Sequence, residues 1–278
     1  MINEAMERVQ GISFNGNNIT NLRYADDAVL VADTKKKLQR MIDKLNDTCK
    51  NYGMDINVKK TKVMVISKNK NVICDLTLDS KPLEQVNRYK YLGSWITEDA
   101  RCEVDIRARI GMAKAAFWQN KELMRRNIRF ETKKRILNSY VFSILSYGCE
   151  CWTWNTALCR KVDAFEMWCY RRILKISWKD KVTNKEVLRR SGAKLHFVKN
   201  MRKRKLEFAG HVMRGSSGDA HLYILEGKVK GSRIQGRPRR SWMGEIVEWT
   251  DLKTYERVKR TAGDRVSWKS MVVDLLRM

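Results

Sequence analysis

The segment LRYADDAVLVA, residues Leu22–Ala32, places two adjacent aspartates between two short apolar runs. The runs Ile19–Tyr24 and Ala28–Ala32 have the length and composition of β-strands. They predict a β-hairpin with Asp26 and Asp27 at its tip. Two carboxylates at one point suit a hard divalent cation, which prefers oxygen ligands, although an Asp pair at a hairpin is more often only a turn device.

Strand-like and helix-like patterns alternate around this hairpin. Asn15-Gly16 is a strong hairpin-turn signal, and Thr34 and Gly53 are placed to cap and to end a helix with apolar residues at helical spacing. Alternating or apolar runs predict three further strands, the last two joined at Asp79-Ser80: Lys62–Ser67, Val72–Leu78 and Leu83–Tyr91.

From about residue 102 the pattern becomes helical. Apolar residues at helical spacing predict a helix beginning near Ile106, a second through Ile136–Ile144 and a third through Leu158–Ile176. A capping box formed by Thr183 and Glu186 predicts a short helix. The remaining segments are predicted as a basic helix, a loop region and two closing helices: Lys194–Met213, Gly215–Pro238, Ser241–Trp249 and Arg265–Leu276. The sequence therefore predicts an α+β fold that is predominantly helical.

The composition indicates a polyanionic partner. The chain of 278 residues has 57 Lys and Arg against 31 Asp and Glu, which gives a formal net charge of +26. Such an excess favours nucleic acid or an acidic membrane surface. No apolar run approaches the ~20 residues of a membrane span, and the first residues lack the apolar region of a secretion signal. We therefore expect a nuclear or cytoplasmic protein without a membrane partner.

The seven cysteines are expected to be reduced thiols, because their number is odd and their spacing is not that of a disulfide framework. Cys149, Cys151, Cys159 and Cys169 lie close in sequence, with His196 farther on, but the spacing is not that of a zinc site. Cys159 and Cys169 also fall on a helical apolar pattern. We therefore predict a structural role for these side chains.

Three segments resemble successive motifs of reverse transcriptases. Leu22–Ala32 resembles the third palm motif, Gly53–Met64 resembles the next palm motif with its Asn and Lys-Thr, and Tyr89–Ile96 resembles the primer-grip hairpin. Three more look like segments found after the polymerase core of LINE-like elements: Arg171–Trp178, Glu207–Arg214 and Gly236–Trp242. Over nearly its whole length, the chain resembles the C-terminal part of a LINE-like non-LTR retrotransposon reverse transcriptase.

The resemblance implies roles for individual residues. Asp26 and Asp27 match the catalytic pair that holds Mg²⁺ or Mn²⁺ in the intact family enzyme, with Asp26 the more direct ligand. Tyr24 matches the residue near the primer end or the incoming nucleotide. Lys60 matches a catalytic lysine near the triphosphate, where a cation can neutralise the leaving pyrophosphate. The implied partners are an RNA template and a DNA primer or target.

The resemblance also implies an order of domains along the chain. Residues 1–67 correspond to a partial palm with the Tyr-Ala-Asp-Asp hairpin, and residues 68–99 to the primer-grip hairpin, in which Leu92 and Gly93 match the grip. Residues 100–195 correspond to a helical thumb, and residues 196–278 to a basic nucleic-acid-binding region.

Two dense clusters of cations near the C-terminus are predicted to contact phosphates. They are Arg202, Lys203, Arg204 and Lys205, and then Arg237, Arg239 and Arg240. The alternatives are a solvated face or a nuclear-import signal. Gly236-Arg237-Pro238 also resembles the core of an AT-hook, which lies in an A·T minor groove, but Gln235 stands where an Arg is expected.

A full enzyme of this family has a further catalytic Asp on an earlier palm strand, and no Asp precedes Asp26 in this chain. Asp33 cannot replace it, because it lies roughly 20 Å along the strand at about 3.3 Å per residue. We expect the isolated chain to bind template–primer or RNA, to bind metal weakly or not at all, and not to polymerise DNA. Two alternatives remain: a non-catalytic nucleic-acid-binding module derived from a retroelement, and a fragment that borrows a polymerase active site in trans.

Overall fold

The structure is a computed structural model and describes residues 1–14, 16–67, 69, 72–216, 218–227 and 239–275. These residues form two compact units, one of residues 1–100 with 218–227 and the other of residues 101–216 with 239–275. Short strands and helices build the first unit, whereas the second is helical. The prediction of an α+β, predominantly helical chain is confirmed. No helix of the described residues is long and apolar enough to span a bilayer.

The described strands lie in the first unit and pair two by two. In chain order they are β1 Ile12–Phe14, β2 Asn17–Ile19, β3 Asn21–Tyr24, β4 Asp27–Leu30, β5 Lys62–Val63, β6 Thr77–Leu78, β7 Lys81–Pro82, β8 Glu84–Gln85, β9 Arg88–Tyr91 and β10 Ser94–Thr97. Antiparallel hairpins join β1 to β2, β3 to β4, β6 to β7 and β9 to β10, while β5 and β8 pair in parallel. Hairpins this small need packing against a helix for stability.

The described helices follow in chain order: α1 Ile2–Ala5, α2 Lys35–Asn51, α3 Glu103–Gln119, α4 Lys121–Arg125, α5 Phe130–Leu137, α6 Ser143–Leu145, α7 Thr156–Ile173, α8 Asn184–Ser191, α9 Phe197–Met213, α10 Asp219–Glu226, α11 Trp242–Thr250, α12 Tyr255–Gly263 and α13 Arg265–Leu275. A π-helical turn, Asn138–Phe142, continues α5 into α6. Helices α1, α2 and α10 belong to the first unit, and the others to the second.

Helix α2 forms the support of the first unit. Thr34 caps it by accepting a hydrogen bond from the backbone N–H of Lys37, and Gly53 follows its end with a φ of 67°. Both signals were predicted from the sequence, and both are confirmed. Met41 packs in a core with α1, and Ile42 packs in a second core with β5 and β6. The helix therefore holds the strands that surround it.

Three strand predictions are wrong in their extent. The predicted strand Val72–Leu78 is reduced to β6, which pairs only with the two residues of β7. The predicted strand Lys62–Ser67 is reduced to β5, because β5 is paired only with the two residues of β8. Asp79 and Ser80 do form a turn, with φ values of 49° and 61°, as a two-residue hairpin with positive φ at both central positions requires. This turn joins β6 to β7 rather than to the predicted strand Leu83–Tyr91, because β9 pairs instead with β10.

The core of the second unit lies between α3, α5, α7 and α9. Leu137, Val141, Leu145 and Val162 have no exposed surface and belong to one apolar cluster. The three helices that apolar spacing predicts here are confirmed. Tyr140 lies within the predicted helix Ile136–Ile144 at the spacing of its apolar residues, yet it is 55% exposed. It lies in the π-helical turn, which shifts the phase of the stripe.

The last part of the chain is more helical than its sequence pattern predicts. The predicted loop region Gly215–Pro238 contains α10, and residues 217 and 228–238 of that region lie outside the described residues. Helix α12 was not predicted because it buries only Val258 and Ala262 in the core, which is a weak periodic signal. The two predicted closing helices are confirmed as α11 and α13.

A buried carboxylate joins α7 to the start of α9. Glu166 is 1% exposed, and its Oε1 accepts the Tyr170 hydroxyl at 2.7 Å and lies 2.8 Å from His196 Nδ1. Burial raises the pKa of Glu166, but the hydrogen bonds from His196 and Tyr170 outweigh it and hold the pKa below its ordinary value of 4.5. The hydrogen bond to Glu166 raises the pKa of His196 above its ordinary value of 6.5.

The Glu166–His196 contact should make the stability of the second unit depend on pH. A histidine whose pKa rises on folding stabilises fully below its unfolded pKa, and this stabilisation is lost as the pH rises through the folded pKa. We expect the urea midpoint to fall between about pH 6 and about pH 8, and to fall less in His196→Gln. His211→Gln is the matched control, because among the described residues no carboxylate contacts this exposed imidazole. An equal fall of the urea midpoint with pH in wild type and His196→Gln would contradict the expectation.

Candidate functional site

The predicted hairpin around the two aspartates is present. Strand β3 pairs with β4 so that Tyr24 lies opposite Asp27, and Ala25 and Asp26 form a two-residue turn. Asp27 is therefore the first residue of β4 rather than part of the turn itself. Ala25 has a φ of 52°, a conformation that costs an L-residue about 1–2 kcal/mol. The register of the hairpin imposes this conformation, and it fixes Asp26 beside Asp27.

The tip of this hairpin is open to solvent. Asp26 and Asp27 are both exposed, Tyr24 is 66% exposed and Leu22 is 45% exposed. Within the described residues, β3 and β4 pair only with each other. Both outer edges of the hairpin therefore present backbone groups that a further strand could pair with.

The two carboxylates fit a single hard cation. Magnesium is commonly held by one or two carboxylates together with water and substrate phosphate oxygens, and Asp26 and Asp27 supply that number. Among the described residues, no group of three or more His, Cys, Asp or Glu side chains is arranged to hold a metal. Asp33, beyond the end of β4, lies 2.9 Å from Lys37 in an ion pair. The described part of the chain thus offers two carboxylates here and no third.

Lys60 lies in a tight turn that follows α2. Asn57 organises this turn, since its Oδ1 accepts the backbone N–H of Lys60 at 3.1 Å and its carbonyl accepts the Thr61 hydroxyl at 2.9 Å. This arrangement explains the spacing of the Asn and the Lys-Thr pair in the sequence. Lys60 is exposed. No hydrogen bond or ion pair among the described residues joins it to Asp26 or Asp27.

Leu92 and Gly93 form the turn between β9 and β10. Tyr91 pairs with Ser94, so the turn has two residues, and their φ values are 47° and 80°. Positive φ at both positions matches the right-handed twist of a hairpin. Leu92 is 39% exposed. The structure therefore presents an apolar side chain and a glycine at the tip of this second hairpin.

The first basic cluster does not share one face of α9. Arg202 is exposed, and Lys203 lies 3.8 Å from Glu207. Arg204 forms an ion pair with Glu150 while its side chain stays 45% exposed. These three cations remain accessible to a polyanion, which would compete with the two carboxylates for them.

Lys205 is different, because none of its surface is exposed. Its Nζ donates to the carbonyl oxygen of Trp152 at 2.8 Å and to the carboxylate of Glu245 on α11. Glu245 also accepts the backbone N–H of Trp154. Burial lowers the pKa of Lys205 and raises that of Glu245, and each charge partly offsets this effect for the other. The prediction that Lys205 contacts phosphate is therefore wrong.

The phase of α9 explains why Lys205 lies inside. Phe197, Met201, Lys205 and Ala209 are spaced four residues apart and are all buried, so they form one inward stripe. The apolar residues at this spacing were the signal in the sequence that could have placed Lys205 in the core. Glu245 was not among the predicted residues, because no local pattern pairs residues so far apart in the chain.

The second basic cluster is described only in part. Arg237 lies outside the described residues, whereas Arg239 and Arg240 are exposed. Arg240 forms an ion pair with Glu248 and lies 3.8 Å from Glu245. Because Glu245 also pairs with α9, the two basic clusters lie on neighbouring elements of the second unit.

Comparison with known proteins gives a family match for the region of the hairpins and a relative whose similarity also covers the helical second unit. Residues 1–96 match the family model described as reverse transcriptase (RNA-dependent DNA polymerase). A putative uncharacterized transposon-derived protein of Caenorhabditis elegans is 31% identical over 271 residues, which cover 94% of each chain. No solved structure gives a significant match. The matched segment contains the Asp26–Asp27 hairpin, the Lys60 turn and the Leu92-Gly93 turn, and the similarity to the nematode protein extends through the second unit. The chain therefore belongs to the reverse transcriptase family and is of retrotransposon type.

Proposed function

We propose that the chain supplies the palm, primer-grip and thumb parts of a LINE-like non-LTR retrotransposon reverse transcriptase, acting on an RNA template and a DNA primer or target. Residues 1–67 form the partial palm, 68–99 the primer-grip hairpin, 100–195 the thumb and 196–278 a basic nucleic-acid-binding region. The observation that carries this proposal is the two-residue turn that presents Asp26 beside Asp27, within the segment that matches the reverse transcriptase family.

The exposed residues of the hairpin tip have the chemistry for this role. Asp26 and Asp27 would hold Mg²⁺ or Mn²⁺, which supplies the Lewis acidity that phosphoryl transfer to a primer 3′-hydroxyl needs. Tyr24 presents an exposed aromatic ring next to the carboxylates, where it can pack on the primer end or the incoming nucleotide. Lys60 offers an exposed cation to neutralise the leaving pyrophosphate. The Leu92-Gly93 turn contacts the primer backbone.

The polypeptide binds nucleic acid in this proposal but does not polymerise on its own. Two-metal phosphoryl transfer needs ligands for two cations, and the described residues offer Asp26 and Asp27 without a third carboxylate. The exposed Arg202 and Arg239 and the half-buried Lys203 support the binding role. They equally favour the second candidate, a non-catalytic nucleic-acid-binding module derived from a retroelement. In either case we propose that the protein acts in the nucleus or the cytoplasm.

Primer extension tests the catalytic part of this proposal. The purified chain, given Mg²⁺, deoxynucleotides and an RNA template annealed to a DNA primer, should give no templated extension. Asp26→Ala is the diagnostic variant, and Asp33→Ala is the matched control, because the Asp33 carboxylate pairs with Lys37. Templated incorporation by wild type and Asp33→Ala that disappears in Asp26→Ala would overturn the proposed incompetence of the isolated chain.

A further inference from the structure

Two neighbouring helices of the second unit each carry one exposed cation and one indole, of which Trp118 is exposed and Trp168 is half-buried. Lys114 and Trp118 lie one turn apart on α3, and Trp168 and Arg172 lie one turn apart on α7. The Arg172 guanidinium lies 5.3 Å from the ring centroid of Trp118 and 5.5 Å from that of Trp168. Lys114 Nζ lies 5.7 Å from the Trp168 centroid. We call these four residues the cation–indole face.

Buried rings hold this face in place. Trp168 stacks on Phe165 with centroids 5.9 Å apart, and it meets Phe117 edge to face at 5.0 Å. Phe117 and Phe165 are each 2% exposed, so both are anchored in the core. Trp118 meets Trp168 edge to face at 5.8 Å. The indoles are therefore fixed before any ligand arrives, which reduces the entropy lost on binding.

The cations of this face are available to an anion. Lys114 and Arg172 are exposed, and no carboxylate of the described residues pairs with either of them. By contrast, Arg189 and Arg190 on α8 are both held by Glu186 at 2.7 Å. Trp118 keeps 42% of its surface exposed beside these cations. An exposed cation beside an indole adds little to folding stability, so stability alone gives little reason for this arrangement.

We propose that the cation–indole face binds single-stranded nucleic acid, with an unpaired base stacked on Trp118 and the adjoining phosphates held by Lys114 and Arg172. A partly exposed indole next to cations that have no carboxylate partner among the described residues matches the two parts of a nucleotide, its base and its phosphate. The bases of a duplex are stacked on each other and cannot reach Trp118, so the ligand is a single strand. The net charge of +26 favours a polyanion over a neutral ligand. This inference rests on the nucleic-acid binding proposed above and assigns it a separate site.

Fluorescence anisotropy of the full chain tests the assignment. The probes are labelled oligouridylate and oligothymidylate of about 12 nucleotides, a length within the range that single-strand sites cover, and a blunt duplex of similar length. We expect Trp118→Ala to weaken single-strand binding about tenfold, as loss of one stacked base does, while Trp118→Phe retains most of it. Duplex binding should be unchanged by Trp118→Ala. Comparing the two single strands shows whether RNA or DNA is preferred.

A second measurement separates stacking from charge. In Arg172→Gln, the slope of log affinity against log salt should fall by about 0.7, the contribution of one phosphate contact to a single strand, whereas Trp118→Ala should leave the slope unchanged. Trp178→Ala is the matched control, because Trp178 is 84% exposed but lies outside the cation–indole face. Circular dichroism confirms that each variant is folded.

The outcomes separate this inference from the proposed function. Single-strand affinity that is equal in wild type and Trp118→Ala, or equally reduced in Trp178→Ala, would overturn the cation–indole face as a binding site. If the chain then still bound a primer–template, the proposed function would stand without it. If wild type bound neither single strands nor primer–template at low salt, both proposals would fail.

Discussion

Replacing Glu245 by alanine should lower the free energy of unfolding of the second unit by about 3–5 kcal/mol, the cost of leaving one partner of a buried ion pair without the other. Lys205 has no exposed surface, and Glu245 is 1% exposed. In Glu245→Ala the Lys205 ammonium would keep only the carbonyl oxygen of Trp152 as a partner. The backbone N–H of Trp154 would lose its acceptor as well.

Urea unfolding followed by tryptophan fluorescence measures this effect, because Trp152 and Trp154 lie against the pair. Glu186→Ala is the matched control, since it removes a surface carboxylate, 29% exposed, from Arg189 and Arg190 and should cost at most about 1 kcal/mol. The double variant Lys205→Met/Glu245→Leu should recover part of the loss, because apolar side chains of similar volume often replace a buried pair without cost. The rest remains, since the backbone N–H of Trp154 still lacks its acceptor. A loss in Glu245→Ala no larger than in Glu186→Ala would contradict the buried pair.

The sequence predicted those features that depend on neighbouring residues. The cap at Thr34 and the glycine at position 53 define α2 because both act within one turn of the helix ends. The tip at Asp26 and the turn at Asp79-Ser80 were found for the same reason. The identification of the chain as a retrotransposon reverse transcriptase also came from short motifs and is confirmed by the comparisons.

Long-range pairing was beyond the sequence pattern. A run of alternating residues does not say which partner strand is available, so Leu83–Tyr91 was assigned to the wrong hairpin. The burial of Lys205 depends on Glu245, which is 40 residues away in the chain. Four consecutive residues of a helix point in different directions, so Arg202–Lys205 do not share one face and Lys205 lies inside. The cation–indole face was missed similarly, since its two i, i+4 pairs come from helices far apart in sequence.

Binding of a primer–template should fall steeply as salt is raised. The described cations of the two basic clusters whose side chains reach solvent are Arg202, Lys203, Arg204, Arg239 and Arg240. If about five cations contact phosphates, the slope of log affinity against log salt is about −4.5, and affinity falls about 500-fold between about 50 and about 200 mM salt. This is the largest effect we expect for the chain.

Charge-neutralising variants locate the contacts. Arg202→Gln, Lys203→Gln and Arg239→Gln together should reduce the magnitude of the slope by about 2.7, since each phosphate contact contributes about 0.9. Arg189→Gln with Arg190→Gln is the matched control, because Glu186 already holds both guanidinium groups. That pair should leave the slope close to the wild-type value. Equal slopes in all three proteins would mean that the two basic clusters do not carry the binding.

The most direct test of the central claim is the affinity of the wild-type chain for a labelled RNA–DNA primer–template, measured across a salt series. If the basic clusters contact the phosphates, the chain should bind tightly at low salt, and log affinity should fall against log salt with a slope of about −4.5. Absence of binding at low salt would contradict the claim that this chain retains the nucleic-acid-binding function of its family.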